Sequence, residues 1–147
     1  MTAATGPADV VRLVALREEP LDVEEVRAAV ADPASGGLAL FAGTVRDSDG
    51  GKPVLGLGYS AHPTALATMR ELAAAVAERH AARAVAAVHR VGDLAVGDLA
   101  VVVAVATGHR GEAFEACREF IDELKATVPI WKHQLFADGT DEWVGTP

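Results

Sequence analysis

A single cysteine, Cys117, stands in the 147-residue chain, so no internal disulfide can form. Its place on an apolar helix face reads as a buried structural thiol. No apolar run approaches the roughly 18 residues of a membrane span. The N-terminus shows no basic region followed by an apolar core, so no signal peptide is read there. These two absences make the cytoplasm the expected location. Cationic side chains are also scarce. Thirteen Lys and Arg face 21 Asp and Glu, a net charge of −8. That balance excludes a general nucleic-acid or anionic-membrane surface, so any anion site must be a local basic patch. Lysine is the scarcest cation: only Lys52, Lys125 and Lys132 stand against ten arginines.

Several catalytic motifs are missing as well. No glycine-rich run ends in Gly-Lys-Ser/Thr, and no Gly-x-Gly-x-x-Gly follows a strand pattern, so neither a P-loop nor a dinucleotide site is expected. No Gly-x-Ser-x-Gly elbow exists. His62, His80, His89, His109 and His133 show none of the spacings of a metal centre, and no metal or cofactor is expected. His89 falls in a strand pattern and reads as a satisfied structural histidine.

What is present is enough apolar chain for one folded domain. Half the residues are hydrophobic, and the length suits a single domain over 9–147 behind a flexible tail at 1–8. Strand patterns occupy 10–17, 38–45, 54–61, 85–91, 99–106 and 130–136. A helix is expected to start with Asp22 as N-cap, Glu25 reaching back as in a capping box, and Leu21 and Val26 as a hydrophobic staple. It should end near Asp32, before Pro33. A second helix should run from Pro63 to His80. Gly43 inside the second strand signals a bulge or a close approach. Segment 47–53, DSDGGKP, reads as a polar, weakly ordered loop that could close a hairpin between strands 38–45 and 54–61. LAVVVAVA (99–106) reads as a central strand buried on both faces. With the neighbouring strands it offers more apolar surface than three helices of this length are expected to cover, which predicts a homodimer joined through the sheet. The order β-α-β-β-α-β-β-α-β is that of a two-layer α+β domain.

The chemistry concentrates in TGHRGEAFEACREFIDELKATVPIWKHQ (107–134). Ala113, Phe114, Cys117, Phe120, Ile121 and Leu124 recur at helical spacing and predict one buried face. Pro129 ends the helix near Thr127. His109-Arg110 precedes it, where unpaired backbone N–H groups and the helix dipole favour an anion. Two of the three lysines flank Pro129-Ile130-Trp131. In a chain whose default cation is Arg, a retained Lys points to amine chemistry, which a guanidinium cannot perform. The competing plain readings are Lys125 as an ordinary C-terminal-turn cation and His109-Arg110 as an ordinary solvated turn.

The series FAGTVRD (41–47), YSAHP (59–63), VHRVGDLAVGD (88–98), TGHRGEAFEAC (107–117), LKATVPIWKHQ (124–134) and DEWV (141–144) resembles the large subunit of molybdopterin synthase, the MoaE family. The resemblance covers nearly all the chain past residue 10. It implies an α/β hammerhead with an additional small antiparallel sheet. It implies conversion of cyclic pyranopterin monophosphate to molybdopterin by insertion of two sulfurs as a dithiolene. It implies a small ubiquitin-like carrier subunit bearing a C-terminal Gly-Gly thiocarboxylate, and a homodimer that becomes a heterotetramer with the carrier. The sequence ends Val144-Gly145-Thr146-Pro147, without a Gly-Gly tail, so it is not expected to be the sulfur carrier itself. The matching positions imply Lys125 and Lys132 as catalytic residues. They imply substrate contacts at Thr44, Val45, Arg46, His109, Arg110, Lys125, Lys132, His133 and Gln134. Thr44 stands where other members have Lys, Gln134 where many have Glu, and Gly58 where an acidic residue is frequent. Two other readings use fewer of these residues: a regulatory module binding a phosphorylated ligand, and an interaction protein with an apolar docking groove.

Overall fold

The structure is a computed structural model describing residues 10–145. The tail expected at 1–8 lies outside them. Among the described residues, three helices and nine strands form two sheets. The first sheet has the order β1-β5-β7-β2, built from β1 (Val11–Arg17), β2 (Gly37–Thr44), β5 (Ala84–Arg90) and β7 (Leu99–Thr107). Its β1–β5 pair is parallel and the others antiparallel. The second sheet runs β3 (Ser48–Asp49), β4 (Lys52–Ala61), β8 (Ile130–Phe136), β9 (Asp141–Val144), and β6 (Gly92–Ala95) also pairs with β4. The helices are α1 (Val23–Ala29), α2 (Ala65–Arg79) and α3 (Arg110–Thr127). None is long and apolar enough to cross a membrane.

Period-two alternation along β7 sends its residues into two cores. Val101, Val103 and Val105 join Met69, Leu72, Val76, Phe120 and Leu124 from α2 and α3. Val102, Ala104 and Ala106 join Val26 and Val30 on the α1 side. The two-layer α+β body is thus present, with α1 added on the other face. This corrects the reason given for a dimer: the apolar run is covered within one chain. The large apolar side chains left exposed lie elsewhere and include Leu38 and Phe41 on β2, the edge strand, and Phe114 on α3.

Phe114 was expected inside and is 65 % exposed; Ala116 is buried instead. At 100° per residue Phe114 falls on the margin of the stripe centred on Ala113, Cys117, Phe120 and Leu124. The N-cap expected at Asp22 accepts from the Glu24 amide at 2.9 Å, and Leu21 and Val26 share the α1-side core. Glu25 does not close a capping box. It pairs with Arg17 of β1, both contacts at 3.0 Å, because a guanidinium outcompetes the cap's own amide.

The hairpin expected between 38–45 and 54–61 is not formed. β2 pairs with β7 in the first sheet and β4 with β8 in the second. Segment 47–53 is a tight hairpin of its own: Ser48 pairs with Pro53 and Asp49 with Lys52. Gly50 and Gly51, at φ +58° and +80°, make its turn, a conformation that favours glycine. The bulge signalled by Gly43 appears as a register shift between Gly43 and Thr44. There the chain leaves the first sheet for the second, carrying Arg46 across the gap.

Gly37 sets the start of α3. A Cβ there would lie 2.8 Å from the Arg110 backbone. Gly36 N–H reaches the carbonyls of Thr107 and Gly108 at 3.0 and 3.1 Å. At the other end, Val128 is extended, as a residue before proline prefers, and the chain turns into β8.

Candidate active site

The last turns of α3 and the strand that follows it form one wall of a cleft of about 260 Å³. Ile121, Leu124 and Lys125 line it from α3; Lys132 and Gln134 line it from β8. The two β8 residues are two apart and so share a face. Across the strand pair, Tyr59 stands opposite Lys132 and Leu57 opposite Gln134. The crossover from β2 supplies Thr44, Val45 and Arg46, and the β3–β4 hairpin supplies Asp49.

A second cleft, of about 150 Å³, opens between Val128, Ile130, Val144 and Gly145. It shares Tyr59, His89, Leu124, Lys125 and Lys132 with the first. The two openings therefore meet at the lysine pair. One is lined with polar and charged groups, the other chiefly with aliphatic ones.

The charges in the larger cleft are uneven. Burial, with Lys125 and Arg46 nearby, holds the Lys132 ammonium below the usual lysine range; Asp49 and Glu142 partly offset this. Asp49 accepts from Gln134 Nε2 at 2.6 Å and lies 3.7 Å from Arg46. That hydrogen bond, followed by the Lys132 and Arg46 charges, holds its carboxyl below the usual carboxylate range. Burial pushes the His89 imidazole down to about 4, so it is neutral at physiological pH. Its Nδ1 lies 2.7 Å from the Arg90 carbonyl and its ring meets Tyr59 edge-on, with centroids 4.8 Å apart. The expected structural histidine is thus buried and bonded, and it also lines the cleft.

The structure brings together Thr44, Val45, Arg46, Lys125, Lys132 and Gln134. It does not bring His133 to them. Odd residues of β8 face the other way, and His133 bonds Asp141 at 2.6 Å and stacks on Trp143. Nor does one chain bring His109 and Arg110 to the lysines. Fifteen residues of α3 separate Arg110 from Lys125, about 22 Å of helix. Cys117 is buried, and burial pushes its thiol up to about 11, as befits a structural residue. Among the described residues no cluster of His, Cys, Asp or Glu is placed to hold a metal ion.

Residues 16–127 match the family model described as MoaE protein. The chain belongs to the MoaE family. It is 42 % identical over 131 residues to the molybdopterin synthase catalytic subunit 1 of Mycobacterium tuberculosis, covering 88 % of each chain. A solved structure of molybdopterin synthase from Staphylococcus aureus superposes with a TM-score of 0.84 at 29 % identity, over 92 % of this chain and 98 % of that one. A complex of subunits 1 and 2 of molybdopterin-converting factor from Helicobacter pylori shares the fold, with a TM-score of 0.66 at 20 % identity over 92 % and 89 %.

In this MoaE-family chain, the cleft residues that sequence reasoning did not place in the site include Tyr59, His89 and Asp49. Asp49 sits in a stretch that looks like a solvated loop, and nothing local shows that it folds back onto β8. His89 carried a signal, a histidine at the end of an apolar strand followed by Arg. Only the pairing of β4 with β8 beside the end of β5 shows that it borders the lysines.

Proposed function

We propose that the chain is the catalytic subunit of a molybdopterin synthase, a sulfurtransferase of molybdenum-cofactor biosynthesis. Its substrate is cyclic pyranopterin monophosphate. Its sulfur comes from the C-terminal thiocarboxylate of a small ubiquitin-like carrier, in the cytoplasm. Family membership supports the reaction class. The observation that carries the reading to particular residues is the meeting of two unlike openings at Lys125 and Lys132. A polar cleft edged by Arg46 suits an anionic pterin. A narrow aliphatic one suits an extended Gly-Gly tail, which brings no side chains of its own.

In this reading Lys125, at the exposed junction, contacts the carrier's terminal carbonyl and stabilises charge as sulfur leaves. Lys132 moves protons at the pterin ring. Its depressed basicity fits that role, since an amine that sheds its proton more readily is a better acid–base group near neutral pH. Arg46, Thr44, Val45 and Gln134 orient the pterin. His109 and Arg110 bind its phosphate at the helix N-terminus. Because those two lie about 22 Å along α3 from Lys125, they join its site only from a second copy, which gives the homodimer a catalytic reason. His133, on the opposite face, supports β9 through Asp141 and Trp143 and is left outside the pterin contacts. The heterotetramer adds one carrier per copy.

A regulatory phosphate-binding module would use His109 and Arg110 but has no need of a lysine pair where two clefts join. The test is sulfur transfer with purified thiocarboxylated carrier and pyranopterin. Dithiolene formation that requires this chain is the expected result. Binding of the pterin with no turnover in the presence of loaded carrier would overturn the reading in favour of the module.

A further inference from the structure

His89 has a bonded side and an open side. Nδ1 faces the Arg90 carbonyl oxygen at 2.7 Å, and a carbonyl can only accept, so Nδ1 carries the ring proton. In a neutral imidazole Nε2 is then a bare acceptor. No protein group bonds it, yet it is absent from the buried polar atoms lacking a partner, so it keeps contact with the open space of the clefts. His89 borders both openings, and the residues that border both with it are Tyr59, Leu124, Lys125 and Lys132. Tyr59 meets the ring edge-on, and Leu124 has no polar side chain. The strongest donors bordering both openings are therefore the two ammonium groups, and the Lys125 charge is the one near enough to act on the ring. Lys132 already has Asp49 and Glu142 as nearby counter-charges. Lys125 is exposed at the end of a flexible stem, and its ammonium has no ion pair or hydrogen bond among the described residues.

We propose that His89 is a positioning residue for Lys125: its Nε2 accepts a hydrogen bond from the Lys125 ammonium and holds that amine at the junction of the two clefts. A neutral acceptor suits the place. Lys125, Lys132 and Arg46 already bring three positive charges to the larger cleft, and a carboxylate there would neutralise the charge needed for an anionic donor. The low basicity of the buried ring keeps it an acceptor throughout the physiological range. No bond is made or broken at His89. It fixes a side chain that would otherwise lose rotamer freedom only when substrate arrives.

The role of Lys125 in turnover rests on the function proposed above, but the His89–Lys125 contact does not, and the experiment separates them. Asn at 89 keeps an N–H near the Nδ1 position and removes the cleft acceptor; Gln places an acceptor near Nε2. His89→Asn should keep the wild-type thermal midpoint within a few degrees and lose about tenfold in kcat, on the scale of one charge-assisted hydrogen bond, with KM for the carrier unchanged. Amine-selective acylation read by peptide mass spectrometry should label Lys125 faster in His89→Asn, because an amine released from its acceptor is freer to meet the reagent. His89→Gln should restore most of kcat and the slower labelling. Equal Lys125 labelling in the three proteins, or an unchanged kcat in His89→Asn, would overturn the proposal. If neither variant folds, ring-nitrogen NMR of the wild type decides. A bare Nε2 whose resonance moves on Lys125→Met supports the contact; a protonated Nε2, or one that does not move, removes it. Failure of wild-type protein to transfer sulfur would sink the functional reading and leave the labelling comparison intact.

Discussion

Gln134 Nε2 donates to Asp49 Oδ2 at 2.6 Å, joining β8 to the β3–β4 hairpin across one end of the cleft. Gln134 is 3 % exposed, and the same nitrogen lies 3.3 Å from Glu142 Oε1. One amide thus stands between two carboxylates that also face Lys132. Gln134→Leu keeps approximate volume and removes the donor. It should raise hydrogen exchange at the Val54 amide, which bonds Asp47 at 2.8 Å and anchors the hairpin, while α2 and β7 stay protected. The Asp49 carboxyl is held low in the folded protein, so its contribution is present above the ordinary carboxylate range and lost as pH falls through the folded value. The variant should therefore show less acid sensitivity in the hairpin. Wild-type exchange there at every pH would mean that the hairpin is held by its backbone alone.

A second pH effect belongs to His89. Its folded value of about 4 lies below an unfolded value of about 6.5. Between these the unfolded chain binds more protons, so stability is complete above about pH 6.5 and falls as pH drops toward 4. The full loss is about 3 kcal/mol. Carboxylates held low, such as Asp138 at about 2, act mainly below this window. Urea unfolding from pH 7 to 4 should show the slope in wild type, and His89→Asn should lack it. Parallel curves would mean that the ring is protonated, or freely hydrated, in the folded state.

Lys125→Arg and Lys132→Arg preserve charge and remove the amine. A role that needs the amine itself, in proton transfer or at the carrier's acyl carbon, predicts a loss of about 100-fold or more in sulfur transfer for each. Lys125 is exposed and Lys132 only half-buried, so thermal midpoints should stay close to wild type. Wild-type turnover in Lys125→Arg would reduce that residue to a source of positive charge.

These residues also show how far the chain can be read without coordinates. The α3 stripe, the double-faced β7 and the Gly43 bulge were legible because each depends on spacing within one element. The lysine pair was legible because Arg dominates elsewhere. Strand partnership was not. Segments 38–45 and 54–61 are neighbours in sequence with a turn between them, and nothing local says that the first belongs to β7 and the second to β8. Asp49, Tyr59 and His89 were missed for the same reason, since each enters the cleft through long-range pairing. The separation of Arg110 from Lys125 was countable, at about 1.5 Å per residue, once both were placed on one helix.

That separation yields the sharpest prediction. Arg110→Ala should weaken pterin binding by roughly 10- to 150-fold, the scale of one charge-assisted hydrogen bond. It should leave folding nearly unchanged, because a cation at a helix N-terminus opposes the dipole. Lys125→Arg should abolish turnover without that loss of affinity. If one site draws Lys125 from one chain and Arg110 from its partner, the two altered proteins, each nearly inactive at pterin concentrations far below the weakened Kd of Arg110→Ala, contain a complete set between them. Mixed, unfolded together and refolded, half of the dimers should be hybrids. Each hybrid carries one intact site and one doubly altered site. Sulfur transfer should then recover to about a quarter of the wild-type rate in a twofold-symmetric dimer. If each chain serves its own site, every site in the mixture keeps one defect and no activity returns. A mixture as inactive as its components, with hybrid dimers verified by native mass spectrometry, would place the phosphate contact elsewhere on the chain that carries Lys125.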